Sequence, residues 1–485
     1  MKLISLFLFI IINSLNSDSF GQNSIQGSID KFSKDPDLKH ASVSFKVIEL
    51  ETNTTVAKLN PNSTLPCASI TKLFSTATAL ELLGVNYRAR TRIYYDGYID
   101  SNGVLIGNIW IRGGGDPSLE STYFKSSTNS LQIWQEQLAK NGIKSIEGSI
   151  IADASEFGYN GVPDGWSWSD LGNYYGAGPS GLTIYDNRLQ FHFRTASIPG
   201  QQATINSIDP EVPGISFHNY VKSSKKKGDN TYIYGAPYSL QRFATGTLPI
   251  SSADFVVKGS LPDPEFQCAY ELEKVLNKNS IKVKGGIKTA REMEIRSNDS
   301  DYAKRTLIIT HEGEKLIDII NPTNMRSVNL FAEHMIGLIG YEKTGDGSTE
   351  SGLVVLDNYW RTKFDIHGMH VNDGSGLSRT NAISASNFVD LLIAMNKSNN
   401  FGAFYNSLPV AGVSGTLRSV CKGQKAHNRM HAKSGSMRRI KSYSGYINAI
   451  SGKKYAFALI VNNHSCSSSA LTRKMELVFN TIAGN

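Results

Sequence analysis

The middle of this chain differs in pattern from the segments on either side of it. Residues 90–289 consist largely of short β-like runs divided by glycine-rich turns, for example 91–99, 104–112 and 182–194. Alternating runs of this kind are typical of strands with one buried face, and each strand needs partners in its own layer. The pattern therefore predicts a β-rich region inserted into a different fold.

The flanking segments follow a mixed pattern of helices and strands. Residues 41–50 begin as an alternating strand, and 55–59 are a candidate hairpin partner. Beyond about residue 300 helical periodicity dominates, and the chain finishes with two strands, 442–450 and 454–462, and a helix, 469–482. These strands could reunite with the first hairpin in one antiparallel sheet flanked by helices.

The length of 485 residues exceeds the usual size of one hydrophobic core. We expect an α+β fold in which residues 22–90 and 300–485 form one discontinuous domain. The inserted region, 91–299, is expected to divide into two nested β-rich subdomains, an inner one at about 91–160 and an outer one at about 161–299.

The N-terminus has the layout of a cleavable secretory signal. Lys2 precedes the apolar run 3–12, and small and polar residues then lead to Gly21. This pattern predicts a signal peptide at 1–21 and export to the periplasm. The run is too short to span a bilayer comfortably, so we expect at most peripheral membrane association. Retention of the segment as an anchor is the alternative.

Charge and cysteine content exclude several classes of partner. The net charge of +8 is small for the length, and its densest run, 222–227, contains no aromatic residue, so we predict no nucleic-acid binding. The four cysteines form no Cys-x-x-Cys pair, and His367 and His370 have no third candidate ligand nearby, so we predict no metal and no cofactor. Cys421 and Cys466 could form a disulfide, which the sequence leaves open.

The segment Ser69-Ile-Thr-Lys72 is the first candidate catalytic motif. It opens a run that looks amphipathic, with apolar residues three and four apart, and Gly84 closes the run. Residues three apart share a helical face, so the Lys72 amine can reach the Ser69 hydroxyl. The alternative is a serine N-cap followed by a solvated lysine. The spacing is common, since it recurs at Ser223–Lys226, Ser224–Lys227, Ser419–Lys422 and Ser451–Lys454.

Two later motifs supply the other half of a possible site. Ser327-Val-Asn329 lies where a loop meets a helix, so its hydroxyl and amide can point into one cleft. Lys433-Ser434-Gly435-Ser436 lies on a predicted edge strand, where a cation, a hydroxyl and an open glycine suit an extended peptide that ends in a carboxylate. The Ser436 amide could join that of Ser69 as an oxyanion hole. A charged hairpin edge that discourages aggregation is the alternative.

The order Ser-x-x-Lys, Ser-x-Asn, Lys-Ser-Gly resembles the motif set of penicillin-binding proteins and serine β-lactamases. The chain resembles one branch in particular, the low-molecular-mass class C penicillin-binding proteins, which are D-alanyl-D-alanine carboxypeptidases/endopeptidases. Ser434 departs from the threonine usual in that family. Further marks are Ile-Arg-Gly-Gly-Gly-Asp-Pro at 111–117, Leu-Thr-Ile-Tyr-Asp-Asn at 182–187, Asp-Gly-Ser-Gly-Leu-Ser-Arg at 373–379 and Gly-Val-Ser-Gly-Thr-Leu at 412–417.

The resemblance implies a fold and a set of residue roles. The fold is a penicillin-binding/serine β-lactamase-like transpeptidase domain interrupted by inserted domains. The implied roles are nucleophile for Ser69, base for Lys72 and proton relay for Ser327. Asn329 is expected to contact the substrate backbone. Lys433 and Ser434 are expected to bind the substrate carboxylate, and together with Gly435 and Ser436 they form what we call the ledge, residues 433–436. The loop 373–379, including Ser375, is expected only to shape the site or its walls.

The implied activity is hydrolysis of peptidoglycan stem peptides through an acyl-enzyme on Ser69, with inhibition by β-lactams. A serine β-lactamase or esterase, and a non-catalytic wall-binding protein, are the alternatives. The sequence leaves open the balance of carboxypeptidase and endopeptidase activity, the preferred stem-peptide residue, the oligomeric state and the purpose of the inserted region.

Overall fold

A computed structural model describes residues 24–124, 129–296 and 301–485. The predicted signal peptide, 1–21, lies outside these ranges. Among the helices in these three ranges, none is both long enough and apolar enough to cross a bilayer.

The described residues form a mixture of helices and mostly short strands. The α-helices are α1 (Ile25–Ser33), α2 (Lys72–Leu83), α3 (Ser130–Lys140), α4 (Trp168–Leu171), α5 (Pro264–Lys278), α6 (Leu316–Met325), α7 (Asn329–Thr344), α8 (Thr349–Arg361), α9 (Ala385–Asn396), α10 (Phe401–Ser407) and α11 (Ser468–Gly484). The strands are β1 (Ser42–Glu49), β2 (Thr54–Leu59), β3 (Arg90–Tyr95), β4 (Tyr98–Ile99), β5 (Val104–Ile106), β6 (Ile109–Arg112), β7 (Ser145–Ile146), β8 (Ile150–Asp153), β9 (Arg188–Arg194), β10 (Thr204–Asp209), β11 (Ser216–Ser224), β12 (Asn230–Tyr234), β13 (Gln241–Pro249), β14 (Phe255–Ser260), β15 (Lys282–Val283), β16 (Ile287–Thr289), β17 (Thr306–Glu312), β18 (Met430–Met437), β19 (Ile440–Asn448) and β20 (Lys454–Asn462).

The two ends of the chain meet in one antiparallel sheet of order β18-β19-β20-β1-β2. One hydrophobic cluster on this sheet contains α2, α7 and α9 residues, and another contains α1 and α11 residues. Strand β20 is buried almost throughout because helices cover both faces. The predicted α+β fold and the β1–β2 hairpin are confirmed, and β18 lies at an edge of the sheet.

Strand pairing in the inserted region is nested. The sheets β16-β8-β6-β3-β17 and β15-β7-β5-β4 join residues from before 154 with residues after 281, whereas the sheets β10-β9-β14 and β11-β13-β12 lie within 188–260. The second stretch is thus enclosed by the first. Strand β17 pairs with β3. These pairings are long-range, and alternation within short strands does not reveal them.

One continuous hydrophobic cluster runs through the inserted region, from Ile93 to Ile281, and it includes the buried rings of Trp134 and Phe191. Residues from both nested stretches contribute to this cluster. The boundaries of separate domains in this region therefore stay a prediction.

The helix expected to begin at Ser69 is not amphipathic. A short 3-10 turn, Ala68–Thr71, leads into α2, and residues 72–80 are buried all round the helix. Trp360 and Phe74 pack edge to face beside it, and the Trp360 indole donates a hydrogen bond to Thr78. A helix that is buried on all sides belongs to the centre of a layered core. The 3-10 turn that carries Ser69 is joined directly to this buried helix.

Candidate active site

Ser69 and Lys72 face each other at the start of α2. The Lys72 Nζ lies 3.0 Å from Ser69 Oγ, 2.7 Å from Asn329 Oδ1 and 2.7 Å from the Ser375 carbonyl oxygen. Burial lowers the pKa of Lys72 to about 7, although the negative charges of Asp373 and Glu333 oppose the shift. The alternative of a solvated lysine is wrong, because Lys72 has no exposed surface.

These contacts determine how a neutral amine is oriented. The Asn329 Oδ1 and the Ser375 carbonyl oxygen only accept hydrogen bonds, so each takes one N–H from Lys72. A neutral amine has two N–H bonds and one lone pair. The lone pair is then left for the third neighbour, the Ser69 hydroxyl, which is the arrangement required to remove its proton.

Ser327 and Lys433 form a second polar pair. The Lys433 Nζ donates to Ser327 Oγ at 2.9 Å and to its neighbouring Ser434 carbonyl oxygen at 2.9 Å. Burial, followed by the charge of Lys72, holds the pKa of Lys433 well below its usual range. Ser327 adopts a φ of 59°, a left-handed conformation that is uncommon outside glycine and often marks functional sites.

The edge strand β18 passes directly beside the nucleophile. A Cβ on Gly435 would lie 2.6 Å from the Cys67 carbonyl oxygen and 3.0 Å from the Ser69 nitrogen, so only glycine fits without displacement. Ser434 Oγ donates to Thr416 Oγ1 at 2.7 Å, and Ser436 lines the same cavity as Ser69. The three motifs predicted from the sequence therefore come together at one place.

The loop 373–379 does more than form a wall. Its Ser375 carbonyl oxygen is one of the acceptors of Lys72, while the Ser375 hydroxyl lies near Asp373. Asp373 accepts hydrogen bonds from the Ser378 amide and from the Trp166 indole of the inserted region. The reading from the sequence missed this part, because a backbone carbonyl leaves no signature in residue identity.

The inserted region supplies much of the cavity. The cavity has a volume of about 700 Å³, and Ser69, Ser327 and Asn329 line one side of it. The Asn329 Nδ2 donates to the Tyr175 carbonyl oxygen at 2.8 Å, so the insertion orients this amide. The insertion contributes Tyr123, Ser169, Asp170, Tyr174, Tyr175, Asp186, Arg188, Tyr232 and Tyr234 to the lining.

Three arginines outside the insertion also line this cavity: Arg326, Arg379 and Arg438. Arg188 is paired with Asp186 at 2.7 Å, so its charge is already balanced. Arg326 lies over the Tyr123 ring at 5.5 Å, a cation–π arrangement. The resulting positive potential suits a substrate with carboxylate groups.

Neither a reactive thiol nor a cluster of metal-ligating side chains lies among the described residues of the site. Cys67 is buried, and burial raises the pKa of its thiol to about 12, which makes it a poor nucleophile. Cys421 and Cys466, the candidate disulfide pair, are free thiols. Over residues 24–124, 129–296 and 301–485, histidine, cysteine and carboxylate side chains form no group of three or more that could hold a metal.

Comparison of the sequence with known proteins identifies one family. The model of the D-Ala-D-Ala carboxypeptidase 3 (S13) family matches residues 25–481. A D-alanyl-D-alanine carboxypeptidase from Actinomadura sp. (strain R39) is 27% identical over 453 residues, which cover 91% of this chain and 81% of that protein.

Two crystal structures share the fold. Penicillin binding protein 4 (dacB) from Haemophilus influenzae superimposes with a TM-score of 0.81 at 21% identity, over 94% of this chain and 99% of that one. The same protein complexed with a novel β-lactam superimposes with a TM-score of 0.75 at 19% identity, over 94% and 100% of the two chains. The predicted transpeptidase-like fold with inserted domains is confirmed.

Proposed function

Because this chain belongs to the D-Ala-D-Ala carboxypeptidase 3 (S13) family, we propose that it hydrolyses peptidoglycan stem peptides through an acyl-enzyme on Ser69. The family predicted from the sequence motifs is confirmed, and the chain is a serine-type peptidase of the class C low-molecular-mass penicillin-binding proteins. The single observation that carries the proposal for the site is the placement of Lys72 Nζ between one hydroxyl and two acceptor-only oxygens.

In the first step Ser69 Oγ attacks the carbonyl carbon of the bond between two D-alanines, and Lys72 removes the hydroxyl proton. The C–O bond forms, the oxyanion is stabilised by the Ser69 and Ser436 amides, and the C–N bond then breaks. Ser327 gives its hydroxyl proton to the leaving amine and receives in return the proton that Lys72 took from Ser69, while its contact with Lys433 at 2.9 Å keeps its hydroxyl in position. Water finally hydrolyses the ester and releases the shortened peptide.

The substrate proposal follows from the ledge and the positive lining of the cavity. We assign binding of the terminal carboxylate to Ser434 and the amine of Lys433, while Asn329 has one further N–H for the substrate backbone. Arg326 and Arg438, which form no ion pair with any of the described residues, favour a peptide that carries further carboxylates. We propose the periplasm as the place of action, where this substrate occurs.

Endopeptidase activity on cross-linked stem peptides is a second candidate function. The cavity of about 700 Å³ extends from Ser69 along the inserted region to Tyr232 and Tyr234, which leaves room for a branched leaving group. A carboxypeptidase substrate loses only one D-alanine and would leave much of this space unfilled. Digestion of purified cross-linked and uncross-linked stem peptides, followed by mass spectrometry, separates the two activities.

Intact mass measured with and without benzylpenicillin tests the nucleophile. We expect the mature protein to gain the mass of one penicillin, a Ser69→Ala variant to gain none, and a Ser419→Ala variant, altered at an exposed copy of the Ser-x-x-Lys spacing, to behave like wild type. Absence of an adduct on folded wild type would overturn the proposal and favour a wall-binding protein. Rapid, repeated hydrolysis of penicillin would indicate a β-lactamase instead.

A further inference from the structure

We propose that Glu333 is a positioning residue that holds the Ser375 carbonyl against Lys72 and sets the charge around that amine. The inference rests on the proposed function, in which Lys72 is the general base. Glu333 belongs to none of the three motifs, and the mechanism above does not use it. It lies on α7, four residues after Asn329, so both side chains are on the same face of that helix.

The Glu333 carboxylate binds two consecutive amides of the loop 373–379. Its Oε2 accepts from the Gly374 N–H at 2.8 Å, and its Oε1 accepts from the Ser375 N–H at 2.8 Å. The side chain is only 1% exposed. A buried carboxylate is costly unless its oxygens are satisfied, and here both oxygens are used on the same loop.

A second carboxylate, that of Asp373, also binds the backbone of this loop. Asp373 Oδ1 accepts from the Gly376 N–H at 2.8 Å, so three successive amides, those of residues 374, 375 and 376, are bound by two carboxylates. The Gly376 nitrogen and the Ser375 carbonyl belong to one peptide plane. With the N–H of that plane bound to Asp373 and the preceding amide bound to Glu333, the Ser375 carbonyl oxygen is directed at Lys72 Nζ, 2.7 Å away.

Close packing leaves this loop little freedom to compensate. A Cβ on Gly374 would lie 2.7 Å from the Ala332 carbonyl oxygen of α7. A Cβ on Gly376 would clash with the Ala68 carbonyl oxygen, in the 3-10 turn that contains Ser69. Ser75 Oγ also donates to the Gly374 carbonyl oxygen at 2.5 Å. Loss of the Glu333 contacts therefore displaces a loop that touches the first turn of α2.

Glu333 also acts on Lys72 through charge. The charged groups that face this region are Lys72 on α2, Asp373 in the loop and Lys433 on β18. The charges of Lys433 and Lys72 repel each other. Burial and the charge of Asp373 raise the pKa of Glu333 to about 8, whereas the two amide hydrogen bonds and Lys72 favour its ionised form. The ionised carboxylate raises the pKa of Lys72, opposing burial.

The test compares acylation by benzylpenicillin in wild type, Glu333→Gln and Glu333→Asp between pH 5.5 and pH 9.5. In Glu333→Gln an amide donor faces a backbone N–H, so we expect acylation to be at least tenfold slower at pH 9. Below its pKa of about 8 the Glu333 carboxyl of wild type is itself protonated and, like glutamine, offers only one acceptor oxygen, so the loss is smaller at pH 5.5. Glu333→Asp keeps the carboxyl group but shortens its reach, so its rate falls at every pH.

Glu342→Gln is the matched control, because Glu342 lies on the same helix, is exposed, and accepts a hydrogen bond from the half-buried Tyr87 rather than from the loop 373–379. Wild-type rates and profile in Glu333→Gln would overturn the inference, as would an equal loss at every pH. If Glu333→Gln does not fold, Glu333→Asp decides: a wild-type rate in that variant also overturns the inference. Failure of wild type to form an adduct would instead refute the proposed function.

Discussion

Replacing Asn329 by aspartate is the sharpest test of how the site keeps Lys72 neutral. The substitution preserves shape but places a carboxylate oxygen where the amide oxygen lies, 2.7 Å from Lys72 Nζ. At an effective dielectric constant of about 20, a new anion at that distance stabilises the ammonium form by roughly 6 kcal/mol. This energy corresponds to a roughly 10,000-fold smaller neutral fraction of the amine.

Wild-type Lys72, with its pKa lowered to about 7, is roughly half neutral at pH 7. We expect Asn329→Asp to acylate at least roughly a thousandfold more slowly at pH 7, and to recover part of the loss as pH rises toward 10. The variant also loses the N–H that binds the Tyr175 carbonyl oxygen, which slows the reaction at every pH. Stopped-flow measurement with a fluorescent penicillin gives the second-order rate constant across this range.

Asn329→Ala is the control, since it removes the hydrogen bond to the Tyr175 carbonyl oxygen, as the aspartate does, and also the one from Lys72, without adding charge. Loss of one buried partner costs about 1–3 kcal/mol, so we expect a roughly 5- to 150-fold slower reaction whose acid limb does not move to higher pH. A thermal unfolding curve establishes that each variant is folded. The reasoning is refuted if folded Asn329→Asp acylates within tenfold of wild type with an unchanged pH profile.

Three further predictions concern the ledge and the core. Gly435→Ala is expected to slow acylation at least roughly tenfold, because its Cβ would lie 2.6 Å from the Cys67 carbonyl oxygen; an unchanged rate would show that β18 can move. Ser434→Thr keeps the hydroxyl that contacts Thr416, so penicillin acylation and stem-peptide cleavage should stay within a few-fold of wild type, and a large loss in either would contradict the assigned role. Trp360→Ala should lower the free energy of unfolding by about 3–5 kcal/mol in a denaturant titration, whereas a loss below about 1 kcal/mol would mean that the core refills the space.

The inserted region has a direct part in the site. Its Trp166 indole donates to Asp373 at 2.9 Å, and its Tyr175 carbonyl accepts from Asn329 at 2.8 Å. Both contacts end at groups that touch Lys72 or the loop behind it. An account of the insertion as a separate wall-binding module would leave these hydrogen bonds unexplained.

The sequence by itself identified the family, the α+β class and the residues of all three motifs. Those inferences depend on short spacings, such as the step of three positions from Ser69 to Lys72, which one turn of helix converts directly into a 3.0 Å contact. The terminal strands and the β1–β2 hairpin were likewise predicted, because alternation along one strand is a local property. The amphipathic character assigned to α2 was wrong, because the sequence did not reveal that neighbouring elements surround it.

Only the tertiary structure decided what surrounds the Lys72 amine. Asn329 and Ser375 lie 257 and 303 positions from Lys72 along the chain, and Glu333 acts on the amine through its charge and through the loop that it binds. The nesting of the inserted sheets has the same origin, since strands such as β8 and β16 pair across more than a hundred residues. The spacing of residues in the sequence indicates which side chains are neighbours within one helical turn or one strand. The contacts around Lys72 arise instead from how separate elements pack. A backbone carbonyl is present in every residue, so residue identity cannot show which carbonyl will contact the amine.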